Sequence, residues 1–186
     1  MMNISVIGAG YVGLITGIGF AKLNHQVSII DLNEGLINNL NENSTPFYEP
    51  ELVDYLNDSN ISNNLFFSTS YQKSINENTD IVFVCVQTPT DPDTGKTKTD
   101  YISSVLTELK KIERFNFIVC IKSTIKATLV EKISNEIDLD YKKIIFNPEF
   151  LREGSAFYDF FNPDRIVIGG SDQKGLNQCT ELYESF

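Results

Sequence analysis

The segment Ile4-Ser-Val-Ile-Gly8-Ala-Gly10-Tyr-Val-Gly13-Leu14 sets three glycines at G-x-G-x-x-G spacing between an apolar run of strand length and a stretch of helical character. A glycine at the first position permits a tight turn. At the second it lets the backbone approach a pyrophosphate, and at the third it lets helix and strand pack closely. The spacing alone is weak; the strand before it and the helix after it supply the required context. A second apolar run, Val27-Ser-Ile-Ile30, ends in Asp31, which follows Gly13 by 18 residues. That is near the roughly 20 residues expected of an acid that takes the adenosine ribose hydroxyls. A carboxylate there repels a 2′-phosphate, and Leu32-Asn33-Glu34 offers no arginine to hold one, so the expected cofactor is NAD rather than NADP. Two alternatives stay open: a flavin held by the same unit, or a structural βα turn with Asp31 capping the next helix.

The rest of the chain repeats the alternation of short apolar runs with helical segments. Strands are predicted at Asn3–Ile7, Gln26–Ile30, Asn64–Phe67, Asp80–Val86, Phe115–Ile121, Lys143–Phe146 and Arg165–Ile168. Helices are predicted at Tyr11–Leu23, Glu34–Asn41, Pro50–Asn57, Tyr71–Asn76, Tyr101–Ile112, Lys126–Ile137 and from Asp172 onward, with Asp100 as the N-cap of the fifth. Most strand runs are continuously apolar, as expected of strands covered on both faces. The pattern predicts an α/β fold, a Rossmann-type doubly wound parallel sheet in three αβα layers. The 186 residues suit one compact domain, with or without an appendage. The polar stretch Thr88–Thr99 is long for a loop inside such a domain and is expected to be functional or mobile.

The formal net charge of −10 repels polyanions, so a nucleic-acid partner is not expected and any phosphate must be held locally. A helix N-terminus does this whatever the overall charge. No apolar run approaches the roughly 20 residues that span a bilayer, and Ile4–Ile7 is too short for a signal-peptide core. No membrane partner is expected, and the location is expected to be cytoplasmic. Cys85 and Cys120 sit in apolar runs and Cys179 has no partner motif, which predicts buried thiols without disulfide or zinc. His25, the single histidine, is expected to be a solvated turn residue, and no metal site is expected.

In an open parallel sheet the ligand lies beyond the carboxyl ends of the strands. Three further strand ends carry polar groups: Gln87-Thr88-Pro89-Thr90, Lys122-Ser123-Thr124, and Asn147-Pro-Glu149-Phe150-Leu151-Arg152-Glu153-Gly154. Each could be a turn or cap on its own, and Glu149 with Glu153 could be a solvated first helical turn. With Gly8–Leu14, Asn43-Ser-Thr-Pro-Phe-Tyr-Glu-Pro50 and Asn162-Pro-Asp-Arg-Ile-Val-Ile-Gly169, these segments run in the order seen in the UDP-glucose 6-dehydrogenases and their relatives. The chain resembles the UDP-glucose/GDP-mannose dehydrogenase family over nearly its whole length.

The resemblance implies an NAD-dependent, four-electron oxidation of a sugar C6 alcohol through an aldehyde and a cysteine-bound thioester. It implies that Gly8, Gly10, Tyr11, Val12, Gly13 and Asp31 bind NAD, with Thr88, Pro89, Ser123 and Thr124 on the nicotinamide side and Glu153 nearby. Glu149 takes the place of the general base, Thr124 that of a residue positioning water, and Glu153 stands with them among the catalytic candidates. Glu149, Phe150, Leu151, Arg152 and Glu153 take the place of a sugar-nucleotide wall, the expected small-molecule partner being UDP-glucose. A base near the reacting carbon is what this chemistry needs.

Two departures matter. Where the family often places Lys or Arg five residues after the ribose-binding acid, this chain has Leu36. The family's nucleophilic cysteine, catalytic lysine and most uridine contacts lie on a central helix and a second α/β domain, while this sequence stops at Phe186. Cys179 lacks the glycine-rich surroundings of that nucleophile. The expectation is therefore a cofactor half that is inactive and monomeric alone, with a catalytic half on a longer or separate chain. A stand-alone NAD-binding module, or the same domain of a GDP-mannose or UDP-N-acetylhexosamine dehydrogenase, are the alternatives.

Overall fold

The computed structural model describes residues 1–112 and 116–184. Among these, β1 (Asn3–Ile7), β2 (Gln26–Ile30), β3 (Leu65–Ser68), β4 (Ile81–Val84), β5 (Ile118–Ile121) and β6 (Ile144–Phe146) form one parallel sheet. Their order is β3-β2-β1-β4-β5-β6. Strand order reverses between β1 and β4, and such a switch point opens a crevice at the carboxyl edge.

Each central strand buries both faces, which is why its run is apolar without alternation. Ile81 and Phe83 of β4 join one core cluster while Val82 and Val84 join the other. The first cluster is capped by α1 (Tyr11–Lys22), α3 (Leu52–Asn57), α4 (Ser59–Ser62), α8 (Ala156–Phe161) and α9 (Gln173–Tyr183). The second is capped by α5 (Tyr71–Ser74), α6 (Asp100–Lys111) and α7 (Ala127–Glu136). Both α1 and β1 run through the middle of the molecule, and residues 13–21 of α1 are all buried. The one polar inward side chain of β1, Ser5, donates to the Ser74 carbonyl at 2.7 Å. No helix of the described residues is long and apolar enough to cross a membrane.

Register decides where the functional edge lies. Ile7 pairs with Ile30 and Val84, Val84 with Ile121, and Ile121 with Phe146. One further bond extends each ladder: Gly8 N to Ile30 O at 2.8 Å, Cys85 N to Ile7 O at 2.8 Å, Lys122 N to Val84 O at 2.9 Å and Asn147 N to Ile121 O at 2.9 Å. Gly8, Asp31, Cys85, Lys122 and Asn147 thus end their strands level with one another.

Several sequence expectations are corrected. Arg165–Ile168 is not a strand; the segment returns antiparallel and Gly169 alone bridges Phe146, with N–O distances of 2.7 and 2.8 Å. The reason is α8, which the sequence reading missed: six residues rise about 9 Å, too little to carry the chain back for a parallel crossover. α8 docks where Gly19 leaves room, since a Cβ there would lie 2.3 Å from the Phe160 ring. Asp100 is the first residue of α6 rather than its N-cap; Thr99 holds that position without a side-chain bond. α4 was also missed, and Asp58 caps it by accepting from Asn60 N. The expected strand end at Phe115 falls outside the described residues. His25 is half-buried, its Nδ1 accepting from Met2 N at 3.1 Å and its ring set edge-on to Phe20. The Thr88–Thr99 loop is internally braced: Asp91 N bonds Lys96 O, Gly95 N bonds Asp91 O, and the Asp91 carboxylate accepts from Asp93 N, Thr94 N and Thr94 Oγ1. Thr94's bonds hold that carboxyl below its usual range.

Candidate functional site

The turn between β1 and α1 is built by steric necessity. Gly8 has φ +102°, and a Cβ there would sit 2.8 Å from the Cys85 carbonyl oxygen. Gly13 presses on the same turn: a Cβ would lie 1.8 Å from the Gly8 carbonyl oxygen. Gly10 differs, because a Cβ on it would meet nothing within 4 Å, so it faces open space. Gly10 is also the N-cap of α1 and brings no side-chain cap, and the first intrahelical bond is Leu14 N to Gly10 O at 2.9 Å. The amides of Tyr11, Val12 and Gly13 therefore stand at an uncapped helix start, where the backbone dipoles favour an anion.

Asp31 is tied to this turn. Its Oδ2 accepts from Ala9 N and its Oδ1 from Asn33 N, both at 2.9 Å. It does not cap the next helix: Asn33 caps α2 (Glu34–Asn41) by accepting from Leu36 N at 3.1 Å. A carboxylate has about four acceptor directions, so two remain for a diol. Leu36 is half-buried against the core and puts no cation there. Open backbone at Gly10, unused amides and a carboxylate at the end of β2 fit a dinucleotide, the amides suiting the diphosphate and Asp31 the ribose.

The other strand ends converge beside this turn. Thr88 Oγ1 donates to the Thr124 carbonyl at 2.8 Å, and Ser123 Oγ donates to the Val86 carbonyl at 2.6 Å. Pro89 and the Thr124 side chain are exposed. Next to them a cavity of about 320 Å³ has walls that include Lys122, Asn147, Glu149, Phe150, Arg152 and Arg165. Glu149 is half-buried and its Oε2 accepts from Leu151 N at 2.6 Å. Glu153 is exposed and outside the walls of that cavity, on the side of Tyr11. The two acids do not share a helical turn, because helix begins again only at Ala156. Arg152 is turned onto Asp159 by a two-pronged pair, Nη2–Oδ1 2.6 Å and Nε–Oδ2 3.0 Å, which holds the Asp159 carboxyl below its usual range.

Two charged residues that the sequence offers only inside longer motifs, with no role of their own, are buried. Lys122 is 5% exposed, and its Nζ reaches Asn147 Oδ1 at 3.2 Å and Tyr183 Oη at 3.5 Å. Burial lowers its pKa. The available signal was a lysine directly after an apolar strand. Glu49, 3% exposed, accepts from Tyr11 Oη at 2.9 Å, Gly154 N at 2.8 Å and Ala156 N at 2.7 Å. Its signal was an acid among Pro46-Phe-Tyr-Glu-Pro50, whose partners lie far along the chain, Tyr11 38 residues before it and Gly154 and Ala156 more than a hundred after it.

All three cysteines are buried thiols. Burial pushes the Cys85 thiol up to about 12 and the Cys120 thiol well above its ordinary value. Cys179 is fully buried on the inner face of α9. No group of three or more His, Cys, Asp or Glu among the described residues could hold a metal ion.

Residues 2–186 match the model of the UDP-glucose/GDP-mannose dehydrogenase family, NAD binding domain. The chain is 36% identical over 193 residues to a UDP-glucose 6-dehydrogenase of Bacillus subtilis, covering 100% of this chain and 43% of that protein. It is 38% identical over 188 residues to the UDP-glucose 6-dehydrogenase of Rhizobium meliloti, covering 98% of this chain and 43% of that one. Among solved structures, a ternary complex of GDP-mannose dehydrogenase from Pseudomonas aeruginosa superimposes with TM-score 0.90 at 28% identity, covering 100% of this chain and 44% of the other. A UDP-glucose dehydrogenase from Pyrobaculum islandicum superimposes with TM-score 0.88 at 34% identity, covering 100% and 44%. The chain thus spans less than half the length of these relatives. It belongs to the UDP-glucose/GDP-mannose dehydrogenase family, as its NAD-binding domain.

Proposed function

We propose that this chain is the cofactor-holding half of a UDP-glucose 6-dehydrogenase, with the catalytic half on a longer or separate polypeptide. The observation that carries the reading is the uncapped start of α1, open at Gly10, with Asp31 bonded to Ala9 at the same turn. NAD, when bound, supplies the hydride acceptor. The amides at Gly10 to Gly13, with Tyr11 and Val12 between, hold the diphosphate, and Asp31 holds the adenosine ribose and disfavours a third phosphate. Thr88, Pro89, Ser123 and Thr124 border the nicotinamide end, and their hydrogen bonds across β4 and β5 keep that border fixed.

Glu149 takes a proton from the alcohol or from water, since it is half-buried at the cavity wall with one oxygen already fixed by Leu151 N. Thr124 orients the water. Backbone groups of Phe150, Leu151, Arg152 and Glu153 form one wall of the sugar-nucleotide site, Glu153 facing the Tyr11 side. A thiol able to carry an acyl group is absent among the described residues, all three being buried. The nucleophile belongs to the other half.

The choice of UDP-glucose over GDP-mannose rests on the higher identity to the UDP-glucose dehydrogenases, 34% against 28%, although the GDP-mannose structure superimposes as well. Calorimetric titration with NAD and NADP tests the cofactor assignment, NAD binding more tightly. Equal affinity, or no heat with either, would remove it.

A further inference from the structure

We propose that Glu49 is a positioning residue that couples the cofactor turn to the Arg152–Ala156 segment, transmitting dinucleotide binding at α1 into order at the sugar-nucleotide wall. It rests on the reading of Gly8 to Gly13 as the NAD cradle.

The carboxylate is buried and its three partners come from two places. Tyr11, the first residue of α1, offers its hydroxyl; Gly154 and Ala156 offer main-chain N–H groups. The Tyr11 hydroxyl also lies 3.1 Å from the Arg152 carbonyl oxygen. Burial and the adjoining Glu49 carboxylate raise the phenol's pKa, so at neutral pH it remains a donor. Phe47 packs against the Tyr11 ring with centroids 5.1 Å apart, holding the segment that carries Glu49 against the helix start.

Gly154 has φ +84°, and α8 starts at Ala156 with no side-chain bond from its own N-cap, Ser155. Glu49 therefore supplies from a remote loop what the local sequence lacks. A buried carboxylate is tolerated only while its hydrogen bonds are made, so loss of any donor loosens the others. The backbone of Tyr11 sits in the diphosphate cradle and its side chain in the Glu49 cluster. Fixing the first therefore fixes the second, and by reciprocity an ordered 152–156 segment favours the dinucleotide.

The test is residue-resolved amide hydrogen exchange on the 186-residue chain, with and without saturating NAD. In the wild type, NAD should slow exchange at Gly154 and Ala156 by about fivefold or more, within the usual range of coupling between sites. In Tyr11→Phe, which removes only a hydroxyl, NAD should still slow Val12 and Gly13, while its effect at Gly154 and Ala156 should nearly vanish. Glu49→Gln should raise exchange at Gly154 and Ala156 even without NAD. If that variant does not fold, Tyr11→Phe alone decides. Slowing at Val12 and Gly13 with none at Gly154 and Ala156 in the wild type, or full slowing in Tyr11→Phe, would overturn the coupling. No slowing anywhere would overturn the cradle reading and the coupling with it.

Discussion

The Asp31 carboxylate accepts the Ala9 amide at 2.9 Å and so joins the end of β2 to the middle of the glycine turn. One side chain thus braces the glycine turn and, on the proposed reading, sets the charge that a ribose would meet there. Asp31→Asn keeps an acceptor for Ala9 but removes the charge. NAD affinity should fall about tenfold, as a charge-assisted hydrogen bond becomes a neutral one, and NADP should come to bind nearly as well as NAD. Calorimetry on wild type and variant checks this, and an unchanged NAD-to-NADP ratio would take discrimination away from Asp31.

The glycines of the turn should separate by substitution. Gly10→Ala should leave the melting temperature within a degree or two of wild type, because φ is −78° and a Cβ meets nothing within 4 Å. NAD binding should nevertheless be lost, the methyl group entering the space of the diphosphate. Gly13→Ala should destabilise the fold by about 3 kcal/mol or more, since a Cβ would lie 1.8 Å from the Gly8 carbonyl oxygen and overpacking against backbone finds little relief. Thermal unfolding and NAD titration of both variants test the contrast, and equal behaviour would refute it.

His25 should give stability an acid-sensitive component. Burial, and then the N-terminal ammonium, lower its pKa below the ordinary 6.5, while the charges of Glu181 and Asp80 oppose them more weakly. The folded state thus favours the neutral ring, whose Nδ1 accepts from Met2 N. Its contribution is complete above about pH 6.5 and is lost as pH falls through the lower folded-state value. Urea midpoints of wild type and His25→Gln, followed from pH 7.5 to 5, should show the wild type losing stability faster. Parallel curves would show that the ring does not titrate with folding.

The chain by itself should produce no NADH from UDP-glucose, its three thiols being buried with the Cys85 pKa raised to about 12. Mixing it with a separately expressed C-terminal half carrying an exposed cysteine should restore turnover, followed at the NADH absorbance. Turnover by the chain alone would locate a nucleophile within these residues.

Where the determinants are local, sequence and structure coincide. β1 and β2 occupy the expected residues, because each is an apolar run ended by a turn former. The glycines lie where their spacing puts them, since each position fails sterically or loses its opening with any larger residue. The expectation failed at Arg165–Ile168 for a non-local reason. Its β-branched composition suits a strand, but a short α8 held at Gly19 of α1 delivers the chain to the wrong edge for parallel pairing.

The candidate site divides in the same way. Thr88, Ser123 and Glu149 are legible as polar residues at strand ends, and register then aligns those ends along one edge. Glu49 and Lys122 carry only faint local signals, an acid in a Pro-Phe-Tyr-Glu-Pro run and a lysine directly after an apolar strand, and neither signal says that the charge is buried. The order of apolar runs and glycines by itself determined a parallel sheet with an anion cradle after its first strand, since backbone sterics and two-faced burial act within a few residues. Only the tertiary structure decided which charges lie inside, because the donors that make burial of the Glu49 carboxylate tolerable come from residues 11, 154 and 156, brought together by the packing of α1 and α8.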